Sequence, residues 1–150
     1  MPNPGRILLV EDDPCNVELA MAVFTQDDLS NEVVVVKDGA EALDYLHCRE
    51  KYSDRTLANP VVVLLDLNLP KMSGLDVLRQ IKSDEKLKRI PVVMLTTSDN
   101  KDEINEAYAF GANAYIVKPV NFEKFINAIK EIGIFWMGVN EPPSNTFCEK

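Results

Sequence analysis

The 150-residue chain carries a single histidine, His47, set between Leu46 and Cys48. Its solitude argues against a His-based metal site, a Ser-His-Asp triad or a phosphohistidine kinase core in this chain. His47 is therefore expected to be structural. Cysteine is nearly as sparse: Cys15, Cys48 and Cys148 are odd in number and match no zinc spacing, so all three are expected to be free thiols. Basic residues are outnumbered, with 16 Lys and Arg against 24 Asp and Glu and a formal charge of −8. Neutralising a phosphate backbone takes a basic face, so the expected partner is a protein or a cation and not a nucleic acid. No apolar run approaches the roughly 20 residues that cross a bilayer, and Met1 to Gly5 has neither a basic start nor an apolar signal core. A cytoplasmic chain with no membrane partner is the expectation. Glycine numbers six, none of them in a phosphate cradle after the first strand, and there is no G-x-x-x-x-G-K-[ST], so nucleotide binding has little support.

What the chain does have is an ordinary globular composition, 46% hydrophobic and 27% charged, at a length that suits one domain. Short apolar bursts alternate with amphipathic stretches. Ile7–Val10, Glu32–Val36, Val61–Leu65, Pro91–Leu95 and Ala114–Val117 read as buried strands. Between them, Asp13-Pro14 opens a helix with an aspartate N-cap and a proline at the first helical position, striped by Val17, Ala20, Met21 and Phe24. Ala42, Leu43 and Leu46 mark a second helix, Leu75, Leu78 and Ile81 a third, and Ile104–Phe110 a fourth closed by Gly111 in the C′ role. Phe122, Phe125, Ile126 and Ile129 stripe the last. Arg49–Pro60 reads as a polar loop. Five βα units in succession call for an α/β fold, a doubly wound parallel sheet with helices on both faces and right-handed crossovers.

In such a sheet, ligands bind beyond the carboxyl ends of the strands, where the strand order switches. The polar residues at those ends are Glu11, Asp12 and Asp13 after the first strand, Asp66 and Asn68 after the third, Thr96 and Thr97 after the fourth and Lys118 after the fifth. An ionised Asp66 closing the run V-V-V-L-L is costly unless it is paired, metal-bound or at an exposed end. Several carboxylates facing one lysine would repel one another, so a hard cation such as Mg²⁺ is the natural companion.

Four stretches, V-E-D-D-P at Val10–Pro14, L-L-D-L-N-L-P at Leu64–Pro70, P-V-V-M-L-T-T at Pro91–Thr97 and Y-I-V-K-P at Tyr115–Pro119, resemble the receiver domain of two-component response regulators. The likeness runs from Arg6 to about Ile132. It implies a flavodoxin-like (βα)₅ fold with strand order 2-1-3-4-5. The polar insert Arg49–Pro60 and the Phe135-Trp136 pair further resemble the single-domain regulators of phytochrome-type kinases. The resemblance makes Asp66 the acceptor of a phosphoryl group from a sensor histidine kinase, with Asp12, Asp66, Glu11 through water and the Asn68 backbone carbonyl holding Mg²⁺. Lys118 would clamp a phosphoryl oxygen, Thr96 would bond another, and Tyr115 would change rotamer as Thr96 moves. It implies a receiver domain over 1–135, a tail over 136–150 and no output domain. Ile132, Ile134, Phe135, Trp136 and Met137 add apolar surface beyond the helix stripe, which points to a homodimer through the C-terminal helix and tail.

Each residue has a plainer alternative. Asp13 fits an N-cap, Glu11 and Asp12 could be solvated loop charges, Lys118 a surface lysine before a proline, and Tyr115 a half-buried strand aromatic. A Mg²⁺ phosphohydrolase of the haloacid dehalogenase type also phosphorylates a strand-end aspartate, but it needs a second aspartate two residues on, where this chain has Asn68. A pseudo-receiver, acting only as an interaction module, would not need Asp12, Asp66, Thr96 and Lys118 together.

Overall fold

Among the described residues, each of the five α-helices starts at a short polar side chain, and each strand is four or five residues long. The computed structural model describes residues 6–55, 59–119 and 121–142. Strands β1 (Ile7–Val10), β2 (Val33–Val36), β3 (Val62–Leu65), β4 (Val92–Thr96) and β5 (Ala114–Val117) alternate with helices α1 (Pro14–Gln26), α2 (Gly39–His47), α3 (Gly74–Ser83), α4 (Lys101–Ala109) and α5 (Phe122–Ile134). The strands form one parallel sheet in the order β2-β1-β3-β4-β5. That is the order the resemblance implies, with the switch between β1 and β3. Val10 pairs with both Val36 and Leu65, and Thr96 with Val117, so the ends of β1, β3 and β4 reach the same edge.

Because side chains alternate across a strand, the sheet builds two cores. On one face Leu8, Val10, Val63, Leu65, Val92 and Met94 meet α2, α3 and α4 through Leu43, Leu46, Val77, Leu78, Ile81 and Ala107. On the other, Ile7, Leu9, Val62, Leu64, Val93 and Leu95 meet α1 and α5 through Phe24, Phe125, Ile129 and Ile132. Strands buried on both faces have no polar position to spare. This is why the apolar runs are unbroken until the site.

The caps sit at the site end because each strand feeds its helix there. Asp13 accepts from the Cys15 N–H at 2.9 Å, Asp38 from Glu41 at 2.8 Å, Ser73 from Asp76 at 3.2 Å, Asn100 from Asp102 and Glu103, and Asn121 from Lys124. Each satisfies an otherwise orphan donor of a first turn. Gly111 follows α4 at φ +106, a backbone conformation that a Cβ disfavours.

Four expectations need correcting. Phe122 is 57% exposed, whereas Ile132 is buried with Gly133, so the inward face of α5 runs through Phe125, Ile129 and Ile132. Phe122 occupies the first helical position, and the 3.6-residue period carries the stripe forward instead. Helical structure also continues past Ile134 as a π-turn, Phe135–Val139, whose Trp136 and Met137 are half-buried against the core under α1 and α5. The insert after α2 is ordered where the structure describes it: Glu50–Tyr52 forms a 3₁₀ turn, and Arg55 donates to the Tyr45 carbonyl at 2.9 Å while its guanidinium lies 4.2 Å over the Tyr45 ring. Tyr52 donates to Glu41 at 2.8 Å, and Thr56, Leu57 and Ala58 lie outside the described residues. Finally, Cys15 is a free, exposed thiol but Cys48 is disulfide-bonded, so the expectation of three free thiols fails. Disulfide formation depends on spatial approach, which spacing along the chain does not report. Cys148 lies outside the described residues.

Candidate functional site

Asp66 is the first residue beyond β3, and its backbone is held from both sides. Its N–H donates to the Val10 carbonyl at 3.3 Å, extending the β1–β3 ladder by one residue. Behind it stands the start of α3, packed so closely that a Cβ on Gly74 would lie 2.0 Å from the Asp66 carbonyl oxygen and 2.7 Å from the Leu67 Cα. The Gly74 N–H donates to the Leu67 carbonyl at 2.8 Å. Glycine at this position is what lets α3 close on the strand end and fix where the Asp66 carboxylate emerges.

Around that carboxylate the β1–α1 loop contributes Glu11 and Asp12. One ligand oxygen from each of Glu11, Asp12 and Asp66 lies within 4.8 Å of the others. Glu11 and Asp66 are buried and Asp12 is exposed, so the cluster is open on one side. Asp13 is not part of it, being spent on the α1 cap and on the Asn16 amide. Three carboxylate oxygens form a hard donor set, suited to a divalent cation with open positions for other oxygens. Asn68 is exposed, and its backbone N–H points to the Asp66 Oδ1 at 3.4 Å.

Lys118, just past β5 and 7% exposed, brings the balancing charge. Its Nζ is hydrogen-bonded to Glu11 and lies 3.6 Å from the Asp66 Oδ2. The plain alternative of a surface lysine is thereby removed for this structure. None of the described peptide bonds is cis, the Lys118–Pro119 bond included. Burial pushes the Glu11 carboxyl above its usual range, and the nearby Asp66 charge adds to the rise. The Lys118 bond and the Asp13 N–H offset only part of that.

Thr96 closes β4 and is fully buried, with its hydroxyl 3.4 Å from the Ser98 N–H. Its carbonyl accepts from the Lys118 N–H, tying β4 to the residue that carries the cation. Tyr115, half-buried on β5, donates its hydroxyl to the Ser98 carbonyl at 2.9 Å. The structure thus gathers Glu11, Asp12, Asp66, Thr96 and Lys118 at one strand edge, with Tyr115 inside β5 opposite Met94 and its hydroxyl on Ser98. Three features escaped the sequence reading: the Glu11–Lys118 pair, the Gly74 contact and the bonds made by Ser98. Only Gly74 left a trace in the sequence, as the glycine that follows L-P-K-M-S after Asp66.

A parallel 2-1-3-4-5 sheet with an acidic cluster and a lysine at its carboxyl edge defines a receiver. The response regulator receiver domain family matches residues 7–130, and the chain belongs to that family. It is 43% identical, over 94% of its length and 89% of the relative's, to the probable methanogenesis regulatory protein FilR2 of Methanothrix harundinacea. It is 37% identical, over 89% of its length and 90% of the relative's, to the response regulator Rcp1 of Synechocystis. The crystal structure of the phosphorylated cyanobacterial phytochrome response regulator RcpA superposes with a TM-score of 0.86 at 42% identity, covering 92% of this chain and 97% of that one. The Mn²⁺-bound form of Rcp1 gives 0.85 at 36% identity, covering 92% and 98%. The chain is a response regulator of the receiver-domain type, homologous to phytochrome response regulators. No helix among the described residues is long and apolar enough to cross a membrane.

Proposed function

We propose that Asp66 accepts a phosphoryl group from the phosphohistidine of a sensor kinase, and that the resulting charge switches the protein's contacts. The observation that carries this is the placement of Lys118 against two buried carboxylates at neighbouring strand ends: Glu11 is held by a hydrogen bond from its Nζ, whereas the Asp66 Oδ2 stands 3.6 Å from it, in a cluster with the exposed Asp12. The Asp66 carboxylate oxygen forms the new P–O bond as the P–N bond to imidazole breaks, and the departing imidazole takes up a proton. Lys118 exchanges its bond to Glu11 for a phosphoryl oxygen. That releases Glu11 to face the metal position with Asp12, Asp66 and the Asn68 carbonyl. A bound Mg²⁺ would neutralise charge on the transferring oxygens, so the protein's own part is to position and to balance charge. Thr96 bonds a second phosphoryl oxygen, and Tyr115 follows it.

Mg²⁺ is the metal favoured here because the donors are all oxygen. The Mn²⁺ reported for Rcp1 is consistent with the same type of site. A phytochrome-type kinase is the proposed donor, supported by the likeness to RcpA and by the insert and Phe135-Trp136 features. The chain is proposed to act in the cytoplasm and to pair with a second copy through α5 and its π-turn, where Ile134, Phe135 and Val139 are 62%, 45% and 65% exposed. The phosphohydrolase alternative gains nothing from the structure, since Asn68 offers no acid. Treatment with acetyl phosphate and Mg²⁺ followed by intact-mass spectrometry tests the proposal. One added phosphoryl group is expected on the native chain and none on Asp66→Asn, and full labelling of the variant would overturn it.

A further inference from the structure

Beyond the site, the segment between β4 and α4 carries an arrangement that none of the roles above uses. Asn100 caps α4, and Glu103 stands three residues on, where a glutamate ordinarily reaches back to the cap's own N–H in a capping box. Here it does not. Glu103 instead accepts from the Ser98 hydroxyl at 2.7 Å, and the Ser98 oxygen lies 3.4 Å from the Asn100 N–H, so Ser98 is inserted into the box as a relay. The same residue faces the site through its backbone: its N–H is directed to the Thr96 hydroxyl at 3.4 Å and its carbonyl accepts the Tyr115 hydroxyl at 2.9 Å. One serine therefore touches the buried hydroxyl of β4, the phenol of β5 and the first turn of α4.

We propose that the Ser98–Glu103 hydrogen bond is a latch that holds the β4–α4 segment in its resting arrangement, so that Glu103 is a positioning residue for Thr96 and Tyr115. The proposal rests on the phosphoacceptor reading for its function, but the latch itself belongs to the resting protein. Thr96 cannot advance toward Asp66 while Ser98 stays in place, because Ser98 is two residues on and is bonded to α4. Either the hydroxyl lets go of Glu103 or the first turn of α4 moves with it. A hydrogen bond to a carboxylate is stronger than a neutral one, and Ser98 and Glu103 are both half-buried, so the latch has enough strength to bias a two-state segment without locking it. Its geometry also explains why the Tyr115 ring is held: the carbonyl it bonds belongs to the latched residue.

The test compares four variants in the unphosphorylated protein: Ser98→Ala and Glu103→Ala, which remove the bond, and Ser98→Thr and Glu103→Gln, which keep a hydroxyl and an acceptor. The readouts are NMR signals of the Tyr115 ring and amide exchange at Asp102, Glu103 and Ile104. The two alanine variants should shift the Tyr115 signals and speed exchange in the first turn of α4 severalfold. The Thr and Gln variants should stay near wild type. With acetyl phosphate and Mg²⁺, the alanine variants should also label severalfold faster than wild type, since less of the population waits in the latched state. Tyr115 signals and α4 exchange unchanged in both alanine variants would overturn the latch. A wild-type chain that takes no phosphoryl group would instead overturn the phosphoacceptor reading, leaving the resting-state measurements to decide the latch alone.

Discussion

A single methyl group at Gly74 should damage both stability and phosphoryl acceptance, and the structure gives the size. A Cβ there would meet three backbone atoms, the Asp66 carbonyl oxygen at 2.0 Å, the Leu67 Cα at 2.7 Å and the Asp66 carbonyl carbon at 2.9 Å. Backbone cannot rotate aside as a side chain can, so the cost belongs at the upper end of overpacking, about 3 kcal/mol. Alanine's better helix propensity returns at most ~1 kcal/mol of that. A net loss of about 2–3 kcal/mol lowers the melting temperature by roughly 4–12 °C for a domain of this length. Relief would come by pushing α3 away from the strand end and displacing Asp66, and a shift on the order of 1 Å can cost up to about 100-fold in rate. Gly138→Ala is the matched control. Nothing lies within 4 Å of its added Cβ, so it should stabilise by about 0.4–1 kcal/mol through the unfolded chain. Gly133→Ala falls between, its nearest neighbour being the movable Leu29 Cδ1 at 3.1 Å. Thermal melts of the three variants, with acetyl phosphate labelling rates, make the comparison. A Gly74→Ala protein that melts and labels like wild type would refute the reasoning.

Other expectations follow from the same contacts. Asp12→Asn, or EDTA on the native chain, should abolish phosphorylation, while the metal-free variant melts level with or above wild type because a repelling charge is gone; a large drop in melting temperature would make Asp12 structural. The Glu11 carboxyl is raised in the folded state, first by burial, so its folding contribution is full below the ordinary carboxylate range and fades as pH rises through the folded value. Metal-free urea melts from pH 4 upward should then show Glu11→Gln gaining on wild type with rising pH, and a constant difference would count against that cause. Light scattering at micromolar concentration should give a dimer mass for the native chain and a monomer for Phe135→Ala/Trp136→Ala with an unchanged far-UV spectrum; a native monomer, with or without phosphate, would end the dimer proposal.

The strand ends are legible because charge begins where apolar runs stop: Val61–Leu65 can only end at Asp66 if the sheet ends there too. Asp13 was legible as a cap for a local reason, its bond reaching just two residues to Cys15. The Glu11–Lys118 pair spans 107 residues and leaves no local pattern, so only the folded chain shows that Lys118 is already engaged. Phe122 misled because an aromatic in register with a stripe looks buried, although at the first turn it has no opposing surface. Ser98 carries no signal in the sequence, because serine after threonines reads as loop chemistry and its carbonyl bond to Tyr115 is invisible in any side-chain pattern. The order within the insert came from Arg55 reaching back to α2, another contact that polarity alone does not announce.

The most direct measurement is chemical trapping of the acceptor. Reduction of the phosphorylated protein with tritiated borohydride converts an acyl phosphate into a labelled homoserine, and proteolysis locates the label. Label is expected at residue 66 alone, and none when EDTA is present during phosphorylation. Label at Asp12 or Asp13, or on a peptide lacking Asp66, would contradict it.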